Sequence, residues 1–152
     1  MNYWLMKSEP DVFSIQDLKT RPNKTEQWDG VRNYQARNFM RDEMKKGDLV
    51  LFYHSSCKEI GIAGLAKVIK ESYPDYTQFD PASKYFDPKA NENNPRWFMV
   101  DVKWVETFEV VIPLRLLKEC SELKNMHLVK KGSRLSIQPV TEDEFNFILT
   151  LK

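Results

Sequence analysis

No stretch of the 152-residue chain approaches the run of about 18 apolar residues that a membrane-spanning helix needs. The opening MNYWLMKSEP also lacks the pattern of a signal peptide. Cysteine is scarce: Cys57 and Cys120 cannot build a disulfide framework and read as free thiols of a cytoplasmic protein. His54 and His127 stand far apart in no metal-ligand spacing, so no metal or other cofactor is expected. No Walker loop, GxGxxG or GxSxG motif occurs, which removes the usual nucleotide-hydrolysing, dinucleotide-binding and α/β-hydrolase signatures. An excess of one charge is missing too, with 23 basic residues against 22 acidic ones. Proteins that wrap long stretches of nucleic-acid backbone carry a strong basic excess. Any nucleic-acid contact here must therefore be short or depend on a pocket.

What the chain does have is aromatic surface, in four Trp, six Tyr and nine Phe. Such residues suit a well-packed β-rich core, with a few to spare for lining a pocket. The length fits one domain over residues 1–152 with one hydrophobic core.

Asn2 to Lys7 reads as a first strand, broken at Pro10. Ser14 and Asp17 form a variant capping box for a helix over Ile15 to Thr20. Asn33 is a good N-cap for a helix from Tyr34 to Lys46, ended by Gly47, with Ala36, Phe39, Met40 and Met44 on its apolar stripe. Leu49 to Tyr53 and Ile60 to Val68 read as strands, and Gly61 and Gly64 mark a bulge, a corner or a close backbone approach in the second. Glu71 to Asn94 has no periodicity, three prolines and five aromatics, the signature of a long functional loop. Arg96 to Val111 alternates as a long strand or strand pair. Pro113 opens a helix to about Cys120, Leu135 to Val140 is a short strand, and Thr141 with Glu144 caps a final helix through Leu149. The order gives an α+β fold, a mixed, strongly curved β-barrel with short helices inserted between strands.

Seven segments, in order, resemble the EVE domain family. They are Trp4 to Pro10, Trp28 to Asn38, Gly47 to Ser55, Gly61 to Gly64, Tyr73 to Asp75, Arg96 to Val102 and Arg134 to Val140. The resemblance implies a PUA-like fold related to YTH and ASCH domains, with a cleft that accepts a base turned out of its nucleic acid. It further implies a non-enzymatic reader of a methylated or hydroxymethylated pyrimidine in DNA or RNA.

Reading a flipped base takes aromatic faces for the ring, polar groups for its edge and donors for the flanking phosphates. Trp28, between a polar loop and a turn, is the candidate wall, with a core tryptophan as the competing role. Ser8 can bond the base or a phosphate, or its own backbone, and Lys7 can meet a phosphate. Asn33 divides between cleft and N-cap. Tyr53, His54 and Ser55 end a buried strand and are expected to line the pocket. Arg134 and Gln138 flank a strand from which they could read a base edge or hold phosphate. Trp97 and Trp104 are expected in the core. Two other functions compete: a hydrolase acting on nucleic acid or nucleotide, and a protein-interaction module using the 71–94 loop.

Overall fold

The computed structural model describes residues 1–152. Its strands are β1 (Tyr3–Ser8), β2 (Thr25–Gln27), β3 (Leu49–His54), β4 (Gly61–Pro74), β5 (Phe98–Pro113) and β6 (Ile137–Val140). They form one sheet in the order β2-β5-β4-β3-β1-β6, parallel only between β1 and β3. Side chains alternate across a strand, so β1 and β3 feed two layers. Trp4, Met6, Val50 and Phe52 pack on one face, and Leu5, Leu51 and Tyr53 on the other. The expected single core is thus two layers sharing one sheet. Helices α1 (Ile15–Thr20) and α2 (Tyr34–Asn38) cover the first layer through Ile15, Leu18 and Ala36. Helices α3 (Leu114–Glu119) and α4 (Glu142–Leu149) cover the second through Leu117, Phe145 and Ile148. The expected capping boxes at Ser14 and Thr141 are both formed. No helix is long and apolar enough to cross a membrane.

The curl of the sheet comes from the β4–β5 ladder, whose register shifts repeatedly between Ile62 and Tyr73. Bulges of this kind bend and twist a strand pair. Gly61 and Gly64 permit the close approach: a Cβ on them would lie 2.1 Å from the Ile112 carbonyl oxygen and 2.3 Å from that of Glu106. The barrel nevertheless stays open, because β2 and β6 remain edge strands with no ladder between them. The strongly curved sheet is as expected, but the barrel, expected closed or nearly so, is not closed.

Two further expectations need correction. The helix begun by Asn33 is α-helical only to Asn38 and continues as a π-helical turn over Phe39–Glu43. It stops at Met44, not Lys46, because the buried Asp48 carboxylate captures the Lys45 N–H at 2.9 Å as well as the Trp4 indole. The apolar stripe holds, with Ala36, Met40 and Met44 all buried. The 71–94 loop is shorter than it reads, since β4 runs on to Pro74 and a 3₁₀ turn spans Tyr76–Phe79. Its start is strapped down by the fully buried Gln78, whose amide bonds the backbone of Asp75, Arg96 and Trp97.

Candidate functional site

The gap between the two sheet edges is a cleft of about 650 Å³. Glu26 and Gln27 of β2 and the segment Trp28 to Arg32 form one wall, while Lys7 and Ser8 of β1, with Ser136 just before β6, form the other. A closed ladder would have consumed this opening. The α1 approach adds Val12 and Phe13, and Tyr85 closes the top.

Trp28 is anchored by its N–H, which donates to the Val100 carbonyl at 2.8 Å and so continues the β2–β5 pairing. Its ring rests edge-to-face on Phe52, with centroids 5.5 Å apart. The indole N–H groups of Trp4, Trp97 and Trp104 are spent on Asp48, Asp87 and Thr107. That of Trp28 has no acceptor within the protein. A half-buried tryptophan usually finds one, so this donor is available at the cleft wall.

The roof is held by residues far apart in sequence. The Asp75 carboxylate is fully buried and accepts from the Gly30 N–H at 2.8 Å and from Arg32 Nη1 at 3.1 Å. The same guanidinium reaches Thr77 Oγ1 and donates to the Tyr85 carbonyl through Nε and Nη2 at 3.1 and 2.8 Å. Gly30 has φ +79°, and a Cβ there would lie 2.5 Å from the Tyr85 ring. Glycine is required both for the turn and for the aromatic packed on it. Sequence reasoning alone does not mark Asp29, Gly30, Arg32 or Tyr85 as site residues. The first three lie in the Trp28 to Asn38 segment, and Tyr85 is one of the five loop aromatics, but nothing local pairs them.

The candidates from sequence divide. Lys7, Ser8 and Trp28 meet in the cleft, although Ser8 Oγ also donates to the Phe13 carbonyl. Tyr53 and Ser55 line a separate hollow instead. Asn33 is committed to its cap, accepting from the Ala36 N–H at 2.9 Å. His54 Nε2 accepts from the Ile15 N–H at 3.1 Å, which ties the start of α1 to β3, and burial lowers its pKa, keeping the ring neutral. Arg134 is exposed and makes no hydrogen bond, while Gln138 is fully buried and donates to Ser133 Oγ and the Leu135 carbonyl. With Tyr53 and Ser55, these residues lie outside the lining of the first cleft. His54 and Gln138 are drawn inward because a backbone group needs a partner there, whereas Asn33 is held by its own helix start. Trp97 is buried as expected, whereas Trp104 is only partly so.

Asp29 stands at the mouth of the cleft, and its carboxyl is pushed above the usual aspartate range. Partial burial is the main cause, followed by the Asp75 and Glu26 carboxylates. A raised native pKa adds stability that is present below the ordinary value of 3.8 and is lost as pH rises through the native one. Asp29→Asn should therefore raise the unfolding midpoint at pH 7 relative to the parent, with the difference vanishing near pH 3. A midpoint difference independent of pH would remove Asp29 from this role.

Residues 2–151 match the EVE domain model. Human thymocyte nuclear protein 1 is 51% identical over 168 residues, covering 99% of this chain and 74% of that protein. The structure of human THYN1 in complex with 5-methylcytosine-containing DNA superposes with a TM-score of 0.93 at 51% identity, over 99% of this chain and 97% of that one. The YTH domain of a Zygosaccharomyces rouxii protein shares the fold alone, with a TM-score of 0.56 and 15% identity over 99% and 85% of the two chains. A match along almost the whole length, carried on the same curled sheet, settles the assignment: this chain belongs to the EVE domain family.

Proposed function

We propose that the protein is a non-enzymatic reader of a modified pyrimidine, 5-methylcytosine in DNA above all, and that it takes the flipped base into the cleft against Trp28. The observation that carries this is the THYN1 complex with 5-methylcytosine DNA, at 51% identity and near-complete coverage. The cleft has the chemistry for the task. Trp28 offers a face and a free N–H, and the Asp29 carboxylate suits the exocyclic amine of cytosine. Val12, Phe13 and Val31 give apolar surface for a methyl group, and Lys7 and Arg21 suit the flanking phosphates. The free thiols of Cys57 and Cys120 fit a reducing compartment, cytoplasm or nucleus.

The test is a set of matched duplexes and single strands, DNA and RNA, carrying cytosine, 5-methylcytosine or 5-hydroxymethylcytosine at one position. Burying a methyl group is worth about 0.8 kcal/mol, so methylated DNA should bind about fourfold more tightly than unmodified DNA. Mass analysis should recover every strand unchanged. Equal affinity for cytosine and 5-methylcytosine, or release of a cleaved or deaminated product, would overturn the reading.

A further inference from the structure

A second hollow of about 440 Å³ adjoins the first, and Lys7 lines both. Lys7 pairs in register with Tyr53, and its ammonium lies 5.7 Å from the centroid of that ring. The other cations come from the second layer. Lys118 sits in the last turn of α3, and Lys130 and Lys131 follow the 3₁₀ turn His127–Val129. No Asp or Glu lines this hollow, and none of its lysines is ion-paired. In a chain of net charge +1, the local excess is concentrated here.

A second observation points the same way. Tyr53 is only 3% exposed, yet its hydroxyl is neither sealed in nor bonded to another group of the protein. Burial, with a smaller push from Cys57, drives its pKa up to about 12, so the phenol keeps its proton and can donate. Ser55, Ser56 and Ser133 add hydroxyls. Gln138 is a positioning residue, because its buried amide holds Ser133 and Leu135 and so fixes the basic turn. The first cleft differs, since Glu9, Glu26 and Asp29 offset its cations. An anion is favoured in the second.

We propose that this hollow binds a backbone phosphate neighbouring the flipped nucleotide, so that one strand passes from the first cleft to the second across Lys7. The proposal rests on the base-reading assignment of the first cleft. Charge complementarity selects the ligand: ammonium groups and neutral hydroxyl donors around a concavity without carboxylates suit a phosphodiester.

Three variants test it. The first combines Lys118→Ala, Lys130→Ala and Lys131→Ala, all at exposed positions. The second, a control, combines Lys45→Ala, Lys46→Ala and Lys67→Ala, exposed and outside both clefts. The third is Gln138→Leu, checked by its unfolding midpoint. Affinity for 5-methylcytosine DNA is measured across salt concentrations, alongside NMR titration with 5-methyl-2′-deoxycytidine, which has no phosphate. The first variant should lose about tenfold in DNA affinity at low salt, and its log–log salt slope should be shallower by about 1–2. Nucleoside binding should stay parental, the control should match the parent, and a folded Gln138→Leu should weaken DNA in the same direction. If the parent binds methylated DNA and nucleoside but the first variant keeps parental affinity and slope, the phosphate site is wrong and the base reading stands. Equal losses in the control would also overturn the site, by showing diffuse attraction. If the parent binds neither ligand, both proposals fall.

Discussion

Arg32→Ala should lower the unfolding free energy by about 3 kcal/mol, because it strands the Asp75 carboxylate as a buried charge without its cation. Asp75 is fully buried, and the guanidinium that faces it at 3.1 Å is itself only 22% exposed. The same change removes both bonds to the Tyr85 carbonyl and the bond to Thr77, so the roof of the cleft loses its tie. For a protein of this length, the loss corresponds to a fall of roughly 6–12 °C in the unfolding midpoint. Arg32→Lys keeps the charge without the planar fork and should recover only part of it. DNA binding should weaken further than instability explains, even at temperatures where the variant is fully folded, because Tyr85 is no longer held over Gly30. A variant that melts with the parent would show that Asp75 is satisfied by its N–H donors alone.

Trp28→Ala should cost about 1–3 kcal/mol of binding to methylated DNA, a tenfold to hundredfold loss of affinity. The loss comes from an aromatic face and an indole N–H with no other employment. Phe at this position restores the face but not the donor, so Trp28→Phe should recover most of the affinity and leave a smaller residual deficit. Because Trp28 also rests on Phe52 at the edge of the first core layer, some stability will be lost as well. Unfolding midpoints measured alongside separate the two effects. A folded Trp28→Ala protein that binds with parental affinity would show that the tryptophan only plugs the end of the sheet.

Much of this was legible along the chain. The apolar runs of β1 and β3 and the alternation in β5 marked the walls, Ser14 and Thr141 announced their helices, and Asn33 was readable as a cap because an N-cap is completed within three residues. The ordered run of motifs from Trp4 to Val140 pointed to the family. Trp28 could be suspected from its neighbours, since a tryptophan between a polar loop and a turn lies outside any alternating strand.

The tertiary structure alone decided the rest. Whether a curled sheet closes depends on its two end strands meeting, and β2 and β6 lie at opposite ends of the sequence with nothing local to state their separation. The cleft is that separation. His54 became an anchor for Ile15, 39 positions away, and Arg32 became the clasp of Asp75 and Tyr85, 43 and 53 positions away. Four lysines from β1, α3 and one turn converged on a single hollow in a chain of near-zero net charge. A local pattern encodes which way a side chain faces and where an element begins, because those depend on backbone periodicity and nearby hydrogen bonds. Which distant donor or charge it meets depends on how the sheet curls, and that is a property of all six strands together.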